Sequence, residues 1–509
     1  MSMYLTYDLK GIQSFIFNIP KLKYIIGGSV IIDSFDRKEM PALKIPSECE
    51  LIYSAAGKGV FKCDTKDNAE RIKKSVLEKA EYFGLNIAFS LKDNYFDAVN
   101  STDELYNYIP ENLEGHPCGV SGLYPVGKNN KDREHHVVKR RTWDHGEASN
   151  DLLEQRLLEK GDFKIPPGIE GKIRFFRAMG EDSSEGRVAL KAIGARNRWA
   201  VICMDGNDMG VQFRYLNQKT EDETEVSKYI VKMSKALDEC THYAASRGIQ
   251  EVIRKWGADS DNYNSSRYKN EILLPVRPIA VGGDDIIVLC HSAYAMDFVR
   301  EAIRAFNVKS AELHQEHGDL WNATGGELTI SAGILYCSIS IPLHSALNYT
   351  ELLLASAKFK GRKHSRDGNP TPAAIDWEHI TDGVLDTPAS RRQRELIFKD
   401  KDKDEVIELT CRPYLNEDLE ELFKNVKNLR SLPGVIRHKI LPGLRQGYYD
   451  RQVFYAQMGK NYPEIVKSLN EENKNSSLWK VEKGRKSTAV IDALSLLLEE
   501  KRFSYTTAY

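Results

Sequence analysis

The 509-residue chain is poor in three things. Its eight cysteines (49, 63, 118, 203, 240, 290, 337 and 411) include no C-x-x-C pair, which argues against both a disulfide framework and a zinc ribbon. No apolar run approaches the length of a membrane span, and the start, MSMYLTYDLKGIQSF, lacks a basic stretch followed by an uninterrupted apolar core. A cytoplasmic protein without a membrane partner is therefore expected. Nor is there a charge excess: 72 lysines and arginines nearly cancel 73 aspartates and glutamates, which excludes a histone-like or sheathing role. Any site for a polyanion must be local. His116, His135 and His136 lie near Cys118, but their spacing fits no standard zinc site, so they read as loop histidines beside an unligated cysteine.

What the chain does have is length enough for two to four packed units, with 41% hydrophobic and 28% charged residues, as in ordinary globular proteins. From 3 to 95, MYLTYDL reads as a strand, KLKYIIGGSVIIDSF as a helix interrupted by glycine, and CELIYSAAGKGVFKC as two strands joined by a Gly-Lys-Gly turn. A helix follows in DNAERIKKSVLEKAEYFG. Asp67 or Asn68 is the expected cap, Ile72, Val76, Ala80 and Phe83 form the apolar face, and Gly84 ends it. LNIAFSL supplies a last strand. The order β-α-β-β-α-β is that of a ferredoxin-like unit.

The same order returns from 198: strand RWAVICM, helix EVSKYIVKMSKALDECTHYAASRG, strand LPVRPIAV, turn GGDD, strand IIVLC, helix AYAMDFVREAIRAF and strand LTISAGILYC. Between the two repeats, the turn-rich 99–195 reads as a connector or small domain. After about 390 charged helical patterns dominate, with Leu419, Leu422, Val426 and Leu429 on one face and Val490, Leu494 and Leu497 or Leu498 on another. The alternating charges of KDKDKDE, 399–405, read as a solvated surface. The expected fold is α+β: a first ferredoxin-like domain (1–98), a connector (99–195), a second ferredoxin-like domain (196–388) packed with the first, and a C-terminal helical bundle (389–509).

The chemistry centres on AVGGDDIIVLC, 280–290. GGDD falls at the hairpin between the middle strands of the second repeat, beside the end of the first strand, where VICMDGNDMG places Asp205. Asp205, Asp284 and Asp285 can converge there and hold magnesium, while Gly282 and Gly283 permit a tight turn and close approach of phosphate oxygens to the backbone. Two divalent ions so held bridge a nucleoside triphosphate, activate a hydroxyl and neutralise the leaving pyrophosphate. Alone, GGDD is an ordinary turn. The cations of ASAKFKGR, 355–362, add to it: Lys358 is the natural triphosphate contact, with Lys360 and Arg362 as second choices.

Seven patches (DLKGIQSFIF with KLKYIIGGSVIIDSF, IYSAAGKGVF, MDGNDMG, GGDD, TISAGI and LLLASAKFKGR) occur in an order similar to that of the large polymerase-like subunit of type III CRISPR effector complexes. The resemblance covers most of residues 4–376. It implies two palm domains packed face to face with ATP between them, and synthesis of cyclic oligoadenylate messengers in antiviral defence, triggered by target RNA. It further implies Asp205, Asp284 and Asp285 as ligands of two Mg2+ or Mn2+ ions, Gly206, Gly282 and Gly283 beside the nucleotide, and Lys358 and Arg362 on phosphate. In the first palm, Gly28, Ser29 and the turn Gly57-Lys58-Gly59 look like part of a second nucleotide pocket without catalysis.

The departures carry their own expectations. Many relatives begin with a histidine-aspartate nuclease domain, whereas this chain opens at the first palm strand, so no DNase activity is expected. The connector keeps only Cys118 of the family's cysteine pair, which makes zinc unlikely. Asn207 stands where a second strand-end aspartate is common, with Asp208 one later. RNA and small helical or RNA-binding subunits are the implied partners. Two other function classes fit: a non-catalytic scaffold of an RNA-guided complex, and a GTP-using enzyme like diguanylate cyclases, which share the acidic hairpin and the AK-x-x-GR pattern. A template-dependent polymerase ranks below these because no continuous basic channel is evident, and Lys139, Arg140 and Arg141 read as an exposed loop.

Overall fold

The computed structural model describes residues 2–19, 22–55, 57–109, 116–118, 125–126, 137–141, 154, 157–158, 171–177, 179, 183–193, 198–218, 222–317, 327–365, 369–381, 386–400, 405–463, 480–482 and 485–504. Most of the expected connector, with His135 and His136, lies outside these residues. The fold is mixed α+β. No helix among the described residues is long and apolar enough to cross a membrane.

The N-terminal part builds one antiparallel sheet from β1 (Met3–Lys10), β2 (Glu50–Ala55), β3 (Lys58–Cys63), β4 (Asn86–Lys92) and β5 (Glu104–Tyr106), in the order β2-β3-β1-β4-β5. Helix α1 (Leu22–Ser34) connects β1 to β2, and α2 (Lys66–Phe83) connects β3 to β4. Thr65, rather than Asp67 or Asn68, caps α2, its hydroxyl accepting from the Asn68 N–H at 3.3 Å, and Gly84 closes it at φ 72°. A threonine with extended backbone just before the first turn is the stronger cap because its hydroxyl reaches the third amide without helical φ/ψ. Ile72, Val76, Ala80 and Phe83 are buried as their spacing requires, each large side chain stabilising the fold by roughly 1.5–3 kcal/mol.

The second sheet runs β7-β8-β6-β9-β10-β13. Its strands are β6 (Arg198–Gly206), β7 (Val276–Gly282), β8 (Asp285–His291), β9 (Ile330–Ser338), β10 (Ala374–Ile380) and the short β13 (Tyr414–Leu415). Its first four strands repeat the order and antiparallel pairing of β2-β3-β1-β4, and β10 adds in parallel to β9. A short helix α3 (Met209–Gln218) follows β6, α4 (Glu223–Trp256) leads to β7, and α5 (Ala295–Glu316) packs along α4. Helix α4 does not stop at Gly248, where the sequence pattern ends. There the missing side chain lets α5 approach, since a Cβ would lie 2.8 Å from the Phe298 ring. Helix α6 (Leu343–His364), which carries Lys358, packs on β6, β9 and β10.

Central strand β6 is apolar on both faces. Ala200, Ile202 and Met204 join a core with α4 and α5, while Trp199, Val201 and Cys203 join a second core that reaches Ile25 and Ile26 of α1 and Leu353 of α6. That shared core, together with an Arg37–Asp238 ion pair at 2.7 Å, ties the N-terminal sheet and its helices to the second sheet.

The C-terminal part is not purely helical. Helices α7 (Leu419–Arg430), α8 (Gly434–Leu444), α9 (Tyr448–Asn461) and α10 (Val490–Ser504) are joined by a four-stranded sheet of β11 (Ile397–Asp400), β12 (Glu405–Glu408), β14 (Lys480–Glu482) and β15 (Arg485–Ser487). The charged run at 399–405 is therefore not simply a solvated surface. Asp400 ends β11 buried, paired with Arg451, and residues 401–404 lie outside the described ones. Arg140 and Arg141 are likewise not in an exposed loop: they belong to a helical turn, stacked 3.5 Å over the Tyr82 ring and 4.0 Å over the Phe15 ring, with Arg141 fully buried.

Candidate functional site: an acidic strand end

The ladder between β6 and β8 sets Asp205 directly opposite Asp285, and the hairpin closes at Gly282 opposite Asp285. Asp205, Asp284 and Asp285 each offer a carboxylate oxygen, and the three oxygens lie within 4.8 Å of one another. Residues separated by about eighty positions in the chain thus meet, as the strand order requires. Gly283 takes φ 59° in the turn, a left-handed conformation that favours glycine. Gly206 serves differently: a Cβ there would sit 2.9 Å from the Met209 side chain and 3.0 Å from Asp284 Cβ. At Gly282 a Cβ would meet only Asp238 Oδ1, at 3.9 Å, leaving the outer side of the turn open.

Two hydrogen bonds hold the turn against its neighbours. The Gly206 N–H donates to the Asp284 carbonyl at 3.2 Å, and the buried Thr241 hydroxyl of α4 donates to the Gly283 carbonyl at 2.7 Å. One helical turn before Thr241, Asp238 receives Arg37 at 2.7 Å and faces His242 at 3.3 Å. Burial alone would raise the Asp238 carboxyl, but the His242 and Arg37 contacts outweigh it and hold it at about 2. No periodicity or motif marks Thr241, Asp238 or Arg37 in the sequence. Only the packing of α4 beside the hairpin shows them.

The carboxylates crowd one another. Burial, the charges of Asp205 and Asp285 and a hydrogen bond with Asp205 push the Asp284 carboxyl up to about 8. Asp285 keeps a side open to solvent, yet surrounding protein and the Asp205 charge push it up to about 7, against the pull of Lys358. Lys358 does not point into empty space. Its ammonium pairs with Asp205 and donates to the Gly206 carbonyl at 2.8 Å. All three carboxylates are hard oxygen donors, the set that suits Mg2+ or Mn2+, and the repulsion among them is the kind a divalent cation relieves.

Asn207 and Asp208 stand apart from this trio. Asn207 is buried, its amide donating to Thr329 Oγ1 at 2.8 Å and accepting from Ser331 Oγ at 3.0 Å, so it fastens β6 to β9. Asp208, at φ 57°, accepts from the Thr371 hydroxyl and lies 3.6 Å from Arg362. Arg362 therefore reaches Asp208, not the three clustered carboxylates.

The first sheet repeats the register with different residues. Asp8 of β1 lies opposite Lys58 of β3, the positions that Asp205 and Asp285 hold in the second sheet, and Lys58 Nζ lies 3.4 Å from Asp8 Oδ2. The sequence pattern does not single out Asp8, although both first strands carry an aspartate near their ends, Asp8 before Lys10 and Asp205 before Gly206. Gly57 takes φ 78°, and its N–H donates to Asp36 Oδ2 at 2.6 Å. Burial raises the Asp36 carboxyl to about 6 despite that bond and those from Tyr7 and Ser54. A cavity of about 290 Å³ opens here, lined among others by Asp8, Tyr53, Lys58, Gly59, Asn100 and Ser101. Gly28 and Ser29 do not line it: both lie within α1, and Gly28 is buried against Ile16 and Arg141.

Fold and site together define a palm domain with an acidic strand end. Residues 198–366 match the family model described as Cas10/Cmr2, second palm domain. The crystal structure of Csm1 in T. onnurineus has the same fold: TM-score 0.52 at 14% identity, covering 98% of this chain and 69% of that one. A Csm1-Csm4 cassette in complex with cA4 matches at TM-score 0.49, and one in complex with AMPPNP at 0.48, with 14% and 13% identity. Each covers 98% of this chain, over 70% and 69% of the other. No curated protein matches the chain. Residues 198–366 are thus similar to the second palm domain of Cas10/Cmr2, the part of the chain that carries the acidic strand end, and the fold as a whole is similar to that of Csm1.

Proposed function

We propose that the acidic end of the second sheet is the active site of a nucleotidyltransferase that converts ATP to a cyclic oligonucleotide messenger, with Asp205, Asp284 and Asp285 holding Mg2+ or Mn2+. The observation that carries this reading is the approach of three carboxylate oxygens within 4.8 Å of one another, inside the stretch matched to a second palm domain. Two divalent ions would supply charge neutralisation of the triphosphate and activation of the attacking hydroxyl.

The chain's own residues do the rest. Asp284, raised to about 8, holds its proton at neutral pH and Asp285, raised to about 7, holds its proton in part; both would release them to bind the ions as carboxylates. Gly282 and Gly283 leave the backbone accessible to phosphate oxygens. Lys358 neutralises Asp205 in the bare site and turns to the triphosphate when the carboxylate acquires other partners. In the first sheet, where Lys58 stands at the register position of Asp285, the cavity beside Asp8 takes a second nucleotide without catalysing its reaction. Both four-strand repeats are palms of the ferredoxin-like kind in this reading, spanning 1–98 and 196–388, with 99–195 a connector and 389–509 a C-terminal unit.

Incubation of the purified chain with radiolabelled ATP and Mg2+ or Mn2+, with and without candidate RNA, tests the reading. It predicts pyrophosphate and a labelled cyclic or linear product, lost in Asp284→Ala and Asp285→Ala. Absence of product under every condition, or variants that match the wild type, would overturn it. Competition among ATP, GTP, CTP and UTP separates this reading from a GTP-using cyclase. Exposed Val435, Tyr449 and Val453 on the C-terminal helices favour, in addition, a scaffold role with helical or RNA-binding subunits. A pull-down from the native host that recovers RNA and such subunits with the aspartate variants as well supports that role.

A further inference from the structure

Cysteines 49 and 63 are far from any carboxylate of the proposed active site in the chain, but the β2–β3 ladder brings them together. Glu50 pairs with Lys62, so one step further from the turn Cys49 stands opposite Cys63. Both side chains belong to the same hydrophobic core, so they point to the same face of the sheet. Opposed residues of an antiparallel pair have Cα atoms about 4.5–5.5 Å apart, inside the span a disulfide bridges.

We propose that Cys49 and Cys63 form a reversible disulfide under peroxide, clamping the open end of the hairpin whose other end carries the Gly57–Lys58 turn. Cys49 is the sulfur an oxidant reaches first. It is 9% exposed, against 1% for Cys63, and it is flanked by exposed Ser47, Glu48 and Glu50. Burial and then the proximity of Cys49 push the Cys63 thiol up to about 12, so Cys63 is not the sulfur that starts the reaction.

The chemistry balances with hydrogen peroxide as oxidant. The Cys49 sulfur attacks a peroxide oxygen, the O–O bond breaks, and the Cys49 proton leaves with the displaced hydroxide as water, giving a sulfenic acid. The Cys63 sulfur then attacks the Cys49 sulfur. The S–O bond breaks, and hydroxide departs with the Cys63 proton as a second water. Two thiols and one peroxide become one disulfide and two waters, and a dithiol reductant returns the thiols.

The full chain is treated with hydrogen peroxide, denatured, alkylated and digested, with amide exchange followed on a parallel native sample. The expected result is a peptide pair linked through Cys49 and Cys63 and several-fold slower exchange across β2 and β3, both reversed by dithiothreitol. Cys49→Ser, a substitution at the surface edge of the core, and Cys63→Ala each abolish the linkage and the slowing. Recovery of both cysteines alkylated, linkage of either to a different cysteine, or Cys49 over-oxidised beside a free Cys63 would overturn the proposal. So would equal slowing of exchange in Cys49→Ser.

Discussion

Asp284 and Asp285 are adjacent in the chain and face a third carboxylate, so the protein holds protons there that the unfolded chain would release. Their folded carboxyls titrate at about 8 and 7, above the ordinary carboxylate range. A raised carboxyl binds more protons folded than unfolded, so stability from these groups is highest at low pH and is lost as pH rises from about 4 to 8. Thermal unfolding of the metal-free protein is expected to show that decline, with Asp284→Asn flattening it and stabilising the chain at pH 8 by on the order of 1 kcal/mol or more. Added Mg2+ flattens it in the wild type alone. A slope unchanged by the substitution would show that the carboxyls do not crowd as described. GGDD was legible as an acidic turn because glycine and aspartate are so plain a pair. The thiol pair, Thr241 and Asp8 were not, since each has meaning only through a partner supplied by another strand or helix.

At the scale of elements, the two β-α-β-β-α-β series were readable because strands of β-branched residues and helices with an apolar face leave different periods. Boundaries set by long-range packing were not. Helix α4 passes through Gly248 because Phe298 fills the space, the short α3 follows β6 with no strong pattern, and β11, β12, β14 and β15 are too short and charged to alternate visibly. The glycines at the acidic hairpin separate local from long-range demands in a testable way. Gly206→Ala places a methyl group against Met209 and Asp284 and is expected to cost about 1–3 kcal/mol, with a fall in Mn2+ affinity. Gly282→Ala meets only Asp238 at 3.9 Å and is expected to leave stability unchanged while weakening ATP binding. Denaturant unfolding and Mn2+ titration of both variants check this. Equal loss of stability in the two would contradict it.

At the scale of the whole molecule, a buried ionic network that composition conceals behind a net charge near zero fastens the C-terminal part to the second sheet. Arg392 grips Asp376 with bonds of 2.6 and 3.0 Å, and Arg412 reaches Glu378 at 3.0 Å and Asp492 of α10 at 2.9 Å. Asp492 also accepts from Thr410, the Cys411 N–H and Tyr414 at 2.7–2.8 Å, so α10 is fixed to β10 beside the palm strands. Arg412→Met leaves Asp492 and Glu378 without that partner and is expected to destabilise the chain by about 3–5 kcal/mol, read by denaturant unfolding. A loss well under that range would show the network to be dispensable.

The most direct test of the central claim is a crystal structure with Mn2+ and a non-hydrolysable ATP analogue, collected for manganese anomalous scattering. The account predicts anomalous peaks between Asp205, Asp284 and Asp285 with the triphosphate over the Gly282–Gly283 turn and Lys358 moved from Asp205 to phosphate. Bound analogue with manganese elsewhere, or an undisturbed Lys358–Asp205 pair beneath it, would contradict the account.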